Sequence, residues 1–218
     1  MSKFYTEKHR ALQEKFETRR TANLMENAVV HSEFGAHEAE FIQSRDMFFL
    51  ATVDASGRPT VSYKGGAPGF VRVTSASSLL FPNYDGNGMY YSIGNIMSAP
   101  QIGLLFIDFV TPNRLRVQGA ADVLFDHPLL ESYPGAQFLI AVAVESIWVN
   151  CPRYVHPHRK LEQSRYVPVA GLESPLPAWK RIDIVQEALA KDDRERVSEA
   201  GGEITQDAYA ELLAKGEA

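Results

Sequence analysis

The sequence predicts a mainly β, α+β architecture: an antiparallel barrel with helices flanking it at both ends. Three observations carry this expectation. Around six or seven runs of β-branched and aromatic residues lie between residues 46 and 150, separated by Gly, Pro, Asn and Ser signals. Only short helical patterns separate those runs, which favours antiparallel pairing over βαβ crossovers. The strongly charged helical patterns are confined to the two ends of the chain.

From the N-terminus, residues 6–28 read as one helix, with Glu7, Arg10, Glu14, Glu17 and Arg20 on a solvated face and Leu12, Phe16 and Leu24 at loose helical spacing. His37–Ser44 reads as a short helix offering Ala39, Phe41 and Ile42 to the strands beyond it. Strands are expected near 47–54, 59–64, 70–74, 78–82, 102–109, 114–125 and 137–149. Their turn signals are Ser56-Gly57-Arg58-Pro59, Gly65–Gly69, Thr111-Pro112-Asn113 and Pro134-Gly135. A turn from Asp85 to Gly88 leads into a helix-compatible segment that carries Ser92 and Asn95 and stops before Pro100. Pro152–Pro177 reads as an ordered loop or arm, and 182–198 and 204–215 as two charged helices. The whole, 1–218, is expected to be a single domain with a barrel core at about 40–150 and the arm and helices of 151–218 appended.

Composition narrows the function. The net charge of −5 gives no basic surface for nucleic acid. No apolar run approaches the roughly 20 residues of a membrane helix, and the N-terminus lacks a secretory h-region, so a cytoplasmic protein is expected. The single cysteine, Cys151, excludes an intrachain disulfide and suits a reducing compartment. His156 and His158 sit two apart without a carboxylate at ligand spacing, so no metal site is expected, and Cys151 is read as a buried, inert thiol. There is no GxGxxG after a strand, no Walker lysine loop, no HExxH and no GxSxG.

Three clusters remain. Ser62 and Lys64 share one face of a strand because the side-chain period is two, and Gly65 and Gly66 come next. That set suits a phosphate group, as does the Gly/Asn turn entering the helix with Ser92; the plain alternative is an edge-strand lysine that blocks aggregation. Arg114, Arg116 and Gln118 alternate opposite Leu115 and Val117, so they form either a solvated face or a wall of donors for an electron-rich heterocycle. Arg153, Tyr154, His156, Arg159 and Lys160 form a basic, partly aromatic arm, either a surface strap or a lid over an anionic ligand.

The succession FFLATVDASGRPTVSYKGGAPGFVRV, LLFPNYDGNGMYYSIGNI, APQIGLLFIDF and NRLRVQGAADV resembles the pyridoxamine 5′-phosphate oxidase-like flavoproteins, whose fold is the FMN-binding split β-barrel. The likeness spans about residues 40–150, and VNCPRYV resembles a CPRY/CPKY segment of uncharacterised members. The resemblance implies a homodimer with FMN at the subunit interface. It implies that Ser62, Tyr63 and Lys64 meet the flavin and its phosphate tail, and that Asn87, Ser92 and Asn95 hold the phosphate and ribityl chain. Arg114, Arg116 and Gln118 would approach the isoalloxazine. The chain departs from the true oxidases where they carry an Arg-Lys pair, here Tyr91 and Ser92, and lacks their C-terminal tryptophan and arginine-histidine motif. Vitamin B6 oxidation is therefore not implied. The expectation is an FMN-dependent oxidoreductase acting on a small molecule, with Arg153, Tyr154, His156 and Arg159 as substrate contacts. The alternatives are a non-catalytic flavin-binding or sensor protein, and a haem-binding or haem-degrading one with His156 or His158 as axial ligand.

Overall fold

The computed structural model describes residues 2 and 4–217. Seven strands form one antiparallel sheet: β1 (Met47–Val53), β2 (Pro59–Gly65), β3 (Arg72–Ser75), β4 (Ser78–Tyr84), β5 (Gln101–Asp108), β6 (Asn113–Leu124) and β7 (Ala136–Asn150). Their order is β2-β1-β5-β6-β7-β4-β3, so β2 and β3 are free edges and the barrel is split between them. All seven runs expected from the sequence are present, each within a few residues of its expected bounds.

Alternation explains the curl of the sheet. Phe48 and Leu50 of β1, Ile102, Leu104 and Phe106 of β5, and Leu115 and Val117 of β6 are buried at every second position. Phe48 sets its ring 5.8 Å from Phe70, 5.0 Å from Phe81 and 5.2 Å from Phe106, so β1 meets β4 across the interior as well as β5 beside it. A flat sheet in this strand order would keep those rings apart. β6 carries a bulge between Gln118 and Gly119. A Cβ on Gly119 would lie 2.2 Å from the Ala143 carbonyl oxygen, which is why glycine stands at this close approach.

The sequence expects both faces of β5 to be buried. Ile102, Leu104 and Phe106 are, but Gly103, Leu105 and Ile107 are only half-covered, because no described element packs fully over that face.

Two helical expectations are corrected. The single helix over 6–28 is two, α1 (Glu7–Lys15) and α2 (Arg19–Val29), with Glu17 in the left-handed region at φ 55° between them. The hairpin lets Arg10 reach Glu26 at 2.9 Å, a pairing that a straight helix forbids at that separation, and Arg19 reaches Glu14 at 2.9 Å across the break. α3 (Ala36–Gln43) comes next, its first turn capped by Glu38 accepting from the Gly35 amide. α4 (Tyr91–Ser98) enters between β4 and β5.

The helix expected at 182–198 begins later, as α5 (Lys191–Glu199), after two 3₁₀ segments at Ala178–Arg181 and Asp183–Ala188. Ile182 is held extended by a bridge to Ile204, and the Gln186 side chain donates to the carbonyls of Lys180 and Ile182, which interrupts a regular helix. α6 (Gln206–Lys215) runs from a Thr205 cap to Gly216 at φ 73°. The chain divides into two compact units, Met1–Gln163 and Ser164–Ala218. The first part of the arm at 152–177 therefore groups with the barrel, and the rest with the C-terminal unit.

Candidate functional site

Strand β2 is an edge, and its alternation sorts two sets of side chains. Thr60, Ser62 and Lys64 are half-covered on one face, whereas Val61 and Tyr63 stand exposed on the other. The first set faces the turn Tyr84–Tyr90 and the start of α4, enclosing a cavity of about 330 Å³ that Ser62, Lys64, Asn87 and Ser92 all line. The hydroxyls of Ser62 and Ser92 lie 3.2 Å apart, tying strand to helix across 30 residues of sequence.

The turn is fixed from several directions. Asn87 accepts from the Met89 amide at 3.1 Å. Tyr90 sits in the left-handed region at φ 46°, and its hydroxyl donates to Gln137 at 3.2 Å, where Asn83 also donates at 3.0 Å. Tyr91 donates to Asp54 at 3.4 Å, joining the β1–β2 hairpin to the helix start. No described side chain caps α4, so its first-turn N–H groups, next to Tyr91, Ser92 and Ile93 on the cavity wall, are left for water or a ligand.

Lys64 gives the cavity its charge. Its ammonium has no ion pair and no hydrogen bond among the described residues, and burial pushes its pKa below the ordinary 10.5. A half-buried cation without a counter-ion, beside two hydroxyls and a helix N-terminus, is a seat for an anion. The residues present thus fit the phosphate tail of a flavin mononucleotide. Thr60, Tyr84 and Tyr90 also line the cavity and escaped the sequence reading. Period-two spacing from Ser62 would have found Thr60; the two tyrosines carried no such signal.

The other expected site residues lie elsewhere. Asn95 is buried and donates to the Thr52 hydroxyl at 3.0 Å, so it braces α4 against β1. Tyr63 points away from the cavity and is 63% exposed. Arg114 donates to the Cys151 carbonyl at 2.8 Å. Arg116, over the Trp148 ring at 5.9 Å, and Gln118 line a separate hollow of about 230 Å³ with Phe49 and Val61. In the arm, Arg153, Tyr154 and His156 are exposed and line neither space, and Tyr154 stands 88% exposed at φ 68°. Arg159 belongs to a third hollow, on the Tyr63 side of β2.

Cys151 is exposed rather than buried, because β7 ends before it. A hydrogen bond from the Arg153 backbone, with the Arg153 and Arg114 charges, holds its thiol below the usual range. Among the described residues, no helix is long and apolar enough to cross a membrane.

The sequence pattern described as pyridoxamine 5′-phosphate oxidase matches residues 34–163. No curated protein matches the chain. Solved structures similar to it include HupZ from Group A Streptococcus, at 18% identity over 53% of this chain and 94% of that one, with a TM-score of 0.44. A putative pyridoxamine 5′-phosphate oxidase from Lactobacillus delbrueckii is similar at 22% identity over 54% and 95%, TM-score 0.43. The heme storage protein HutZ of Vibrio cholerae is similar at 22% identity over 50% and 89%, TM-score 0.39.

Proposed function

This chain belongs to the pyridoxamine 5′-phosphate oxidase family, and we propose that it binds FMN in the cavity between β2 and α4 and works as an FMN-dependent oxidoreductase on a small molecule. The observation that carries the reading is Lys64, a half-buried ammonium with no counter-ion among the described residues, beside a space walled by Ser62, Asn87, Ser92 and an uncapped helix start. Lys64 would neutralise the phosphate, the two serine hydroxyls and the α4 amides would donate to its oxygens, and Asn87 would meet the ribityl chain. The first turn of α4 takes the place of the Arg-Lys charges found in the true oxidases.

When bound, FMN would supply the hydride- or electron-accepting chemistry. This chain's own part is to fix the tail and to keep one edge of the ring near donors. Arg116 and Gln118 lie on a different face from Lys64, so they would serve a flavin bound to a second copy. That brings a homodimer into the reading, acting in the reducing cytoplasm where the exposed Cys151 thiol stays reduced. Among the described residues, the cavity wall carries no histidine, carboxylate or thiol, so a non-catalytic flavin carrier is the second reading, favoured by that observation.

Titration of the apo-protein with FMN, followed by quenching of flavin fluorescence, tests the proposal. Saturable quenching in the micromolar range is expected, and none at high micromolar FMN would end it. A visible spectrum of the purified protein adds a second check, since a Soret band in place of flavin absorption would assign haem instead.

A further inference from the structure

Strand β2 has a second side. Opposite the Lys64 cavity, Tyr63 helps to line a larger hollow of about 450 Å³, built where the start of β1 and the β5–β6 turn meet residues 158–160 of the arm. It shares no lining residue with the β2–α4 cavity. The arm is pinned there. The His158 amide donates to the Phe109 carbonyl at 2.9 Å, and the His158 ring stacks on Phe109 with centroids 5.1 Å apart and planes at 29°. Lys160 pairs with Asp46 at 2.5 Å.

The charges in this hollow do not cancel. Its two acids are taken: Asp46 by Lys160, and Asp108 by Arg45 at 2.9 Å. Asp108 also accepts from the amides of Val110 and Thr111 at 2.8 and 3.2 Å, and from the Thr111 hydroxyl, so both its oxygens are engaged. Arg159 is left with no acidic partner among the described residues. The Tyr63 hydroxyl is likewise without a hydrogen-bond partner among them, and its ring lies against Gly65, where an added Cβ would meet it at 2.8 Å. Met47 and Pro68 complete an apolar wall. One unpaired guanidinium beside flat aromatic faces is the chemistry that recognises a planar anion.

We propose that this hollow is a second small-molecule site, distinct from the FMN cavity, that takes a small aromatic carboxylate. Its ring lies against Tyr63 and the Phe109–His158 stack, and its carboxylate pairs with Arg159. The inference does not depend on FMN binding, because it uses none of the residues that line the other cavity.

The test uses naphthoate as a fluorescent probe and the neutral naphthalenemethanol as its control, with binding read by fluorescence anisotropy on the full chain. Naphthoate is expected to bind at least tenfold tighter than the alcohol, and Arg159→Ala is expected to erase that preference. Arg159 is exposed, so the variant keeps its fold. Tyr63→Ala should weaken both probes by several-fold, since it removes the ring contact and leaves the charge. Lys64→Ala and saturating FMN should leave naphthoate affinity unchanged. Equal binding of the two probes, no binding of naphthoate, or full affinity in Arg159→Ala would overturn the proposal. Loss of naphthoate on adding FMN would also overturn it, by placing the anion in the β2–α4 cavity. A protein that binds naphthoate as expected but not FMN would refute the flavin reading alone.

Discussion

Lys64 shows how one residue carries more than its spacing reveals. The sequence places it on one face with Ser62; only the fold shows that this face closes over α4 and holds no carboxylate. Lys64→Ala should weaken FMN about ten- to a hundredfold, the cost of losing a charge-assisted contact of roughly 1.5–3 kcal/mol. Riboflavin, which lacks the phosphate, should be nearly indifferent, and paired titrations of the two ligands decide the point. An equal loss for both would move Lys64 away from the phosphate.

The pH dependence comes from the same group. Burial lowers its pKa from 10.5, so between the folded value and 10.5 the unfolded chain binds more protons than the folded one. The stability of the apo-protein therefore rises with pH through that window, and the gain is lost again as pH falls through the folded value. FMN affinity should move the opposite way, because the attraction disappears with the proton. The preference for FMN over riboflavin is expected to fall as pH climbs toward 10.5, measured by the same titrations at alkaline pH.

Among the elements, β6 shows what a strand pattern omits. Its alternation placed Arg114, Arg116 and Gln118 on one face, opposite the buried Leu115 and Val117. The bulge at Gln118/Gly119 was not legible, because it answers to the approach of Ala143 on β7 rather than to any local signal. Gly119→Ala puts a methyl against that backbone carbonyl and should destabilise the fold by on the order of 1–3 kcal/mol or more, read by urea unfolding. A variant as stable as the wild type would show that β6 and β7 shift apart freely. The break at Glu17 teaches the same lesson: residues 6–28 carry loose helical spacing with no stop signal at Glu17, and the left-handed turn there shows only in the fold, where Arg10 reaches Glu26 across it.

At the scale of the molecule, the patch of outer sheet face around Val61, Leu105 and Arg116 is unfinished. Val61 is 65% exposed, Leu105 is half-covered, and the hollow beneath Arg116 and Trp148 is mainly apolar. A second copy set on this face would bury it and bring Arg116 and Gln118 toward the other chain's flavin. Light scattering should give a dimer, and Val61→Glu, which puts a charge in that face, should shift it toward monomer. A wild-type monomer that holds flavin would refute the arrangement.

Period-two alternation and turn residues by themselves determined the seven strands, because burial of one sheet face leaves its imprint at every second position. The same rule set Ser62 and Lys64 together, and the Gly/Asn turn marked the start of α4. Tertiary structure alone decided which distant pieces share a space. It turned Asn95 inward to Thr52, left Tyr63 on the far side of β2, and carried Arg159 to a hollow of its own. Those placements depend on how the sheet curls and where the arm is pinned. Both are set by contacts between residues many tens of positions apart, such as Lys160 with Asp46, which local spacing does not encode.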